Sequence, residues 1–269
     1  MPLPASFKDK YGPWAIITGA SSGIGEQFAE LLAVAGLNVI LVARRKDRID
    51  KLAGSLTAKY QVKAVALCAD LASPNAVEQL RLDCNDKDIG LLICNAGTGA
   101  KGLHHETSLQ QLNNILDLNS RAPMLLTHAF TPDFIRRGRG GIIITASIEA
   151  YLGFPYSAAY SASKAFAKTL GEGLWGELKP HNVDVLVLNP GATDTEILAV
   201  QGIDSKQMVG LMSPKVVAEY ALQMLGKKPV VIAGLLNKVF MKFLTLIPRS
   251  LAIRLAGIGM KNAMDKSHA

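Results

Sequence analysis

Features that would indicate secretion, a metal centre or a membrane span are scarce in this 269-residue chain. The three cysteines, Cys68, Cys84 and Cys94, do not have the spacing of metal ligands. Cys68 and Cys94 fall within apolar runs typical of buried strands, which suits a reducing cytoplasm. The N-terminus has no apolar stretch ahead of a cleavage site, and no run reaches the roughly 18 apolar residues of a spanning helix. We therefore expect a cytoplasmic protein that is not secreted, does not span a membrane and holds no metal.

Charged and aromatic residues are also few, at 19% and 6%, whereas 49% of residues are hydrophobic and the mean hydropathy is +0.22. This composition can fill a sizeable core, and it indicates an apolar ligand, an oligomer interface or membrane contact. The net charge of +7 could serve nucleic acid, but the basic residues are scattered and no stacking aromatics lie among them. An anionic cofactor or an anionic membrane surface accounts for the charge better, so we expect no nucleic-acid partner.

Short β-branched runs alternate with amphipathic helical segments along most of the chain. The runs lie at residues 14–18, 39–43, 64–67, 91–94, 142–145, 183–188 and 229–233. Helical connections between successive strands predict a parallel sheet. The fold class expected is therefore α/β, a doubly wound seven-stranded sheet with helices on both faces. The length fits a single domain over residues 1–269.

Several helix starts are marked by capping residues. Ser73-Pro74 and Ser213-Pro214 each place a serine before a proline, which is typical of the first turn of a helix. Ser108 and Gln111 have the spacing of a capping box.

The pattern changes after residue 233, where an apolar C-terminal extension replaces the strand and helix alternation. Residues 235–260 read as two apolar helices broken at Pro248, with basic residues on the polar side. The apolar surface of these helices has three alternative partners. The helices would cover the substrate channel as a lid, pack against a second subunit, or bind an anionic membrane. Burial against protein is favoured, because Pro248, Gly257 and Gly259 make a poor continuous membrane-surface helix.

A glycine-rich turn directly follows the first predicted strand. Residues 18–25 read Thr-Gly-Ala-Ser-Ser-Gly-Ile-Gly, and a helical pattern begins at Glu26. Glycines let the backbone approach a pyrophosphate closely, and the helix N-terminus supplies unpaired N–H groups with a partial positive charge. In this context the turn predicts dinucleotide binding by a Rossmann-type sheet.

The second strand ends at Arg44 and Arg45, where a carboxylate would be expected if the ribose carried a free 2'-hydroxyl. Two arginines there favour the 2'-phosphate of NADP(H) over NAD(H). The alternative is a solvated basic helix start, since Lys46 and Arg48 follow.

Tyr160 and Lys164 lie four residues apart in a segment that reads as a helix, so that phenol and ammonium project from one face. Tyrosine normally loses its proton near about pH 10, and a positive charge beside it favours the phenolate. We therefore expect Lys164 to lower the pKa of Tyr160 towards neutrality, as general acid–base catalysis requires. The alternative is a packed tyrosine beside a solvated lysine.

Taken together, these motifs resemble the short-chain dehydrogenase/reductase family from about residue 12 to residue 233. Ser147 precedes Tyr160 by 13 positions, the interval usual in the family, and Tyr160 is the only tyrosine of six with a lysine four residues on. The other matching pieces are the turn at 18–25, Asp70-Leu71, Asn95-Ala96-Gly97, Asn119, and Pro190-Gly191 with Thr193.

The resemblance implies a catalytic set of Asn119, Ser147, Tyr160 and Lys164. Tyr160 would exchange the proton, Ser147 would bind the substrate oxygen, Lys164 would hold the nicotinamide ribose, and Asn119 would support a water relay. With the arginines, the cofactor-binding residues would be Gly19, Ser21, Ser22, Gly23, Ile24, Gly25, Arg44, Arg45, Asp70, Leu71, Asn95, Ala96, Gly97, Tyr160, Lys164, Pro190, Gly191 and Thr193.

Two departures from the family bear on packing and assembly. Cys94 replaces a frequent asparagine, and the usual C-terminal strand ending in Asp-Gly-Gly is absent, so the family's tetramer is not implied. A homodimer is expected instead, in which Gly171, Gly173 and Gly176 let a second subunit's helix approach closely.

The substrate channel is expected between residues 99–105, 150–156 and 197–212, whose side chains suggest an apolar substrate. Ser147, Tyr151, Phe154 and Tyr160 are the substrate-binding residues expected, and Leu152, Leu198, Val200, Met208 and Leu211 add apolar surface. The function expected is NADP(H)-dependent interconversion of a carbonyl and an alcohol on an apolar ketone, 3-oxoacyl group or similar substrate. The alternatives are a catalytically silent nucleotide-sensing protein and a membrane-surface scaffold.

Overall fold

The computed structural model describes residues 3–203 and 210–265, and its centre is a seven-stranded parallel sheet. The strands are β1 (Trp14–Thr18), β2 (Asn38–Ala43), β3 (Ala64–Cys68), β4 (Ile89–Cys94), β5 (Gly140–Thr145), β6 (Val183–Asn189) and β7 (Val230–Ile232). Their order in the sheet is β3-β2-β1-β4-β5-β6-β7. The seven predicted strands and the doubly wound α/β fold are thus confirmed.

Helices connect the strands and cover both faces of the sheet. They are α1 (Ala5–Tyr11), α2 (Gly23–Val34), α3 (Lys46–Tyr60), α4 (Ala76–Asp83), α5 (Leu109–Leu116), α6 (Ala122–Arg137), α7 (Ala158–Leu178), α8 (Glu196–Val200), α9 (Pro214–Met224), α10 (Leu235–Leu246) and α11 (Arg249–Asp265). Alternate strand residues point to opposite faces, so Ile17 packs with Phe28 of α2 and Ile16 packs in the layer of Phe130 of α6. All four side chains are fully buried, and this packing fixes the strand ends that carry the site.

Two of the three predicted capping signals are confirmed. Ser213 is the N-cap of α9, and the Ser108 hydroxyl at the start of α5 accepts a hydrogen bond from Gln111 N at 3.3 Å. The prediction for Ser73 is wrong: its N–H donates to the Asp70 carbonyl in a turn, and α4 begins three residues later at Ala76. The assignment of Cys68 as buried is also wrong, because it ends β3 at the edge of the sheet and is exposed.

The topology places a crevice at the carboxyl ends of the strands. The strands β1 to β3 follow one another towards one edge of the sheet, and the strands β4 to β7 follow one another towards the other edge. The strand order therefore reverses between β1 and β4. Loops leaving β1 and β4 diverge at this point, which is where open α/β sheets bind ligands.

The C-terminal extension forms the two predicted helices, α10 and α11, separated at Pro248. Met241, Leu244, Ala252 and Ala256 are buried in a separate apolar cluster with residues of the segment that follows β5. The extension therefore packs beside the carboxyl ends of the strands. Within the described ranges, no helix is long and apolar enough to cross a membrane.

The glycines of α7 have different surroundings. A Cβ on Gly171 would lie 2.4 Å from Val187 of β6, so this glycine accommodates its own sheet and the intersubunit interpretation is wrong for it. Gly173 and Gly176 face open space, and their contact with a second subunit stays a prediction.

Candidate active site

A cleft of about 1140 Å³ opens at the carboxyl ends of the strands. Of the expected cofactor-binding residues, all except Gly25 line it, and so do the catalytic candidates Ser147, Tyr160 and Lys164. Residues as far apart in sequence as Gly19 and Thr193 therefore meet in one cavity. Asn119 lies just outside the lining, as described below.

The turn between β1 and α2 is built so that only glycine fits at two positions. A Cβ on Gly25 would lie 2.2 Å from the Gly19 carbonyl oxygen, which is why Gly25 sits beneath the turn rather than in the cleft. Gly23 has a φ of +59° and a Cβ there would meet Thr195 at 2.7 Å. At these two positions the turn therefore has no room for a side chain.

Thr18 joins this turn to the end of β4. Its hydroxyl donates to the Ile93 carbonyl at 3.1 Å and accepts from the N–H groups of Asn95 and Ala96 at 2.9 and 3.0 Å. The Asn95 side chain in turn donates to the Thr18 carbonyl and accepts from Thr145 at the end of β5. This network fixes three strand ends relative to one another.

Arg45 lies across the glycine-rich turn. Its guanidinium donates to Ser21 Oγ and Ser22 Oγ, each at 2.8 Å, and forms an ion pair with Glu196 at 2.5 Å. Arg48 pairs with the other oxygen of Glu196, and these hydrogen bonds hold the pKa of Glu196 at about 2. Arg44 is exposed and lines the cleft. Two hydroxyls and two guanidinium groups thus lie where the sequence predicts a phosphate.

Tyr160 and Lys164 lie on α7 and face the end of β5. Lys164 is 5% exposed, and its ammonium donates to the Thr145 carbonyl at 3.0 Å and lies 5.8 Å from the Tyr160 ring centroid. Ser147 lies two residues beyond the end of β5 and is buried, and its Oγ accepts a hydrogen bond from Glu149 N at 3.1 Å. Three of the four predicted catalytic side chains therefore share one wall of the cleft.

The expected lowering of the Tyr160 pKa is wrong for the protein in this state. Burial raises the pKa of Tyr160, the charge of Glu149 raises it further, and a hydrogen bond with Ser147 lowers it only in part. Burial also lowers the pKa of Lys164 to about 8, against the charge of Glu149. The phenol is consequently protonated at neutral pH, which is the state of a proton donor.

Asn119 lies in a π-helical turn, residues Asp117–Arg121, between α5 and α6. Its side chain is 2% exposed, accepts from Thr98 N and donates to the Thr98 carbonyl and to Ser163 Oγ. A Cβ on Gly97 would lie 3.2 Å from both Asn119 Oδ1 and Lys164 Nζ, so these two atoms face the same point. The water relay itself stays a prediction.

The substrate side of the cleft agrees only in part with expectation. Phe154, Leu198 and Val200 line it, whereas Leu211 does not and Met208 lies outside the described residues. Tyr151 is not among the lining residues: its ring packs beneath the Lys168 ammonium at 4.9 Å. The extension supplies the remaining apolar wall through Leu236, Val239, Phe240, Phe243, Leu255 and Met260.

Sequence reasoning missed three charged residues of this region. Lys101 and Glu149 form a buried ion pair beside Tyr160, and Glu196 binds the arginines. The signal for Glu149 was available, because it is a lone acidic residue two positions after Ser147. The ion-pair partner of each residue could not be predicted, because the loops that carry these partners meet only in the folded chain.

Comparisons with known proteins agree on one family. A family model described as short chain dehydrogenase matches residues 13–205. The chain is similar to the 7beta-hydroxysteroid dehydrogenase of Clostridium sardiniense, with 34% identity over 238 residues, 88% of this chain and 91% of the relative. It is 33% identical over 239 residues to the very-long-chain 3-oxoacyl-CoA reductase of Phaeosphaeria nodorum, covering 84% and 67%. A solved short-chain dehydrogenase from Sphingobium yanoikuyae in complex with NADPH matches with a TM-score of 0.79 and 32% identity over 88% and 96% of the two chains.

Proposed function

Because the chain belongs to the short-chain dehydrogenase family of oxidoreductases, we propose that it interconverts a carbonyl and an alcohol on an apolar substrate with NADP(H). The observation that carries this proposal is the meeting of Ser147, Tyr160 and Lys164 in one cleft with the glycine-rich turn. A proton donor, a second hydroxyl and a cation there suit an oxygen that gains or loses charge.

The residues of the cleft fit a dinucleotide phosphate. The glycine-rich turn lines the cleft at the N-terminus of α2, where backbone N–H groups suit a pyrophosphate. The hydroxyls of Ser21 and Ser22 and the guanidinium of Arg45 supply donors for a 2'-phosphate. The solved relative in complex with NADPH supports the same choice over NAD(H).

When bound, the nicotinamide supplies or accepts a hydride at the substrate carbon. In reduction, Tyr160 donates its proton to the substrate oxygen, and in oxidation it takes that proton back. Ser147 Oγ accepts from Glu149 N, so its hydroxyl hydrogen can turn from Tyr160 to the same oxygen. Lys164 would hold the nicotinamide ribose and keeps positive charge near the phenol, while Asn119 fixes the backbone at Thr98 beside them.

The proposed substrate is a bulky apolar ketone or the matching alcohol. Phe154, Leu198 and the inner faces of α10 and α11 form an apolar wall. No cluster of side chains suited to a metal ion occurs in the described part of the chain. A hydroxysteroid dehydrogenase and a 3-oxoacyl-CoA reductase among the relatives support this class of substrate. We favour a role in which the apolar surface of the extension lines the cleft. The alternative is peripheral membrane contact by that surface.

The experiment is consumption of NADPH by the purified protein with a panel of steroid ketones, 3-oxoacyl thioesters and small polar ketones. We expect turnover with the bulky apolar members, weaker turnover with the polar ones, and a lower rate with NADH. Tight NADPH binding without turnover of any member would instead support the silent nucleotide-sensing alternative.

A further inference from the structure

A buried ion pair borders the proposed active site without belonging to the expected site residues. Lys101 Nζ lies 2.7 Å from Glu149 Oε1, and the two side chains are 1% and 13% exposed. Lys101 belongs to the loop after β4, and Glu149 to the turn that follows Ser147. Burying two charges costs hydration that their attraction does not reliably repay. Stability alone therefore does not explain why this ion pair is buried beside the proposed active site.

The remaining hydrogen-bonding capacity of the pair is directed at the first turn of α7. Ser157 Oγ and Ser161 Oγ donate to Glu149 Oε2 at 2.5 and 3.2 Å, and Lys101 Nζ donates to Ser157 Oγ at 2.7 Å. Ser157 and Ser161 flank Tyr160 on this turn, while the Glu149 N–H binds Ser147. The pair thus joins the loop after β4, the segment bearing Ser147 and the helix bearing Tyr160.

The two charges also act on the phenol in opposite directions. Lys101 Nζ lies 4.8 Å from the Tyr160 ring centroid and favours a phenolate, whereas Glu149 opposes one. Lys164 is the third charged group near this ring, and Glu149 raises its pKa as well. Lys101 therefore offsets part of the effect of Glu149, whose charge still raises the pKa of Tyr160.

We propose that Lys101 and Glu149 are positioning residues that hold Ser147 and Tyr160 together and balance each other's charge beside the phenol. This inference rests on the proposed oxidoreductase function of Tyr160. In this proposal, the ion pair determines the pH range over which the enzyme is active.

The proposal predicts opposite effects for the two single variants. Lys101→Met leaves Glu149 unbalanced, so Tyr160 and Lys164 hold their protons more tightly and the pH profile of kcat/KM moves up by about one pH unit. Glu149→Gln leaves Lys101 unbalanced and moves the profile down by a similar amount. The double variant leaves no unpaired charge, so its profile returns close to that of the wild type, at a lower rate because Ser147 is less firmly held.

The test is the pH dependence of NADPH-driven reduction of a bulky apolar ketone by the full chain, with folding checked by thermal melting. Arg81→Met and Asp133→Asn, which break a 2.6 Å ion pair between α4 and α6, serve as controls and leave the profile in place. If only one single variant folds, the direction of its shift decides. Unshifted profiles, or shifts in the same direction, with an active wild type would overturn this inference alone. A wild type without turnover would overturn it together with the proposed function.

Discussion

Lys164 shows how function opposes stability at the scale of one residue. Its ammonium is buried and its pKa is lowered from 10.5 to about 8, so the folded protein binds this proton less tightly than the unfolded chain does. The cost is full below about pH 8, and it declines as the pH rises towards 10.5, where the unfolded lysine also loses its proton. A cation retained at this cost suits a role in binding or catalysis.

We predict that Lys164→Met is more stable than the wild type at pH 7, by about 2 kcal/mol. Each unit of pKa is worth about 1.4 kcal/mol, and the lost hydrogen bond to Thr145 offsets part of the gain. Urea unfolding at a series of pH values measures this, and the advantage should shrink between pH 8 and pH 10.5. A variant that is less stable at pH 7 would contradict the account of Lys164.

Single residues were predictable from sequence where a local rule fixes them. The glycines at 19, 23 and 25 follow from the geometry of a strand-to-helix turn, and Ser213 follows from the proline after it. The pKa of Tyr160 was not predictable, because it depends on burial and on Glu149, which approaches only in the folded chain.

At the scale of elements, the contact of α8 with the glycine-rich turn is the feature that sequence did not indicate. Glu196 at the start of α8 accepts from Arg45 and Arg48, whereas α8 itself contributes Leu198 and Val200 to the cleft. A 2'-phosphate bound by Arg45, as we propose, would compete with Glu196 for one guanidinium. We therefore expect binding of NADPH to be coupled to the substrate wall.

We predict that Glu196→Gln raises affinity for NADPH up to about fivefold and leaves NADH affinity unchanged. The pair is about half exposed, and exposed pairs contribute about 1 kcal/mol or less. Arg45→Ala is the matched opposite, with weaker NADPH binding and little effect on NADH. Equal changes for both cofactors, measured by fluorescence titration, would contradict the phosphate assignment.

The strands were predictable at this scale because buried parallel strands read as continuous β-branched runs. The start of α4 was not, since Ser73 and Pro74 satisfy the rule for a helix start but Ser73 is held in a turn by Asp70. The two helices of the extension followed from periodicity and Pro248, whereas their packing beside the cleft required the fold.

At the scale of the whole molecule, the doubly wound sheet explains why distant motifs form one site. The carboxyl ends of β1, β4, β5 and β6 carry the glycine-rich turn, Asn95, Ser147 and Pro190 to a single edge. The topology class and this convergence were predictable, because parallel strands end at the same edge. The single domain, the homodimer and the cytoplasmic location stay predictions.

The central claim is that Tyr160 exchanges a proton with the substrate oxygen in an NADP(H)-dependent reaction. Its most direct measurement is the rate of ketone reduction by Tyr160→Phe under saturating NADPH, beside a titration of NADPH binding. We predict at least about a hundredfold loss of kcat with nearly unchanged cofactor affinity, because only the hydroxyl is removed. Near-normal turnover by this variant would contradict the account.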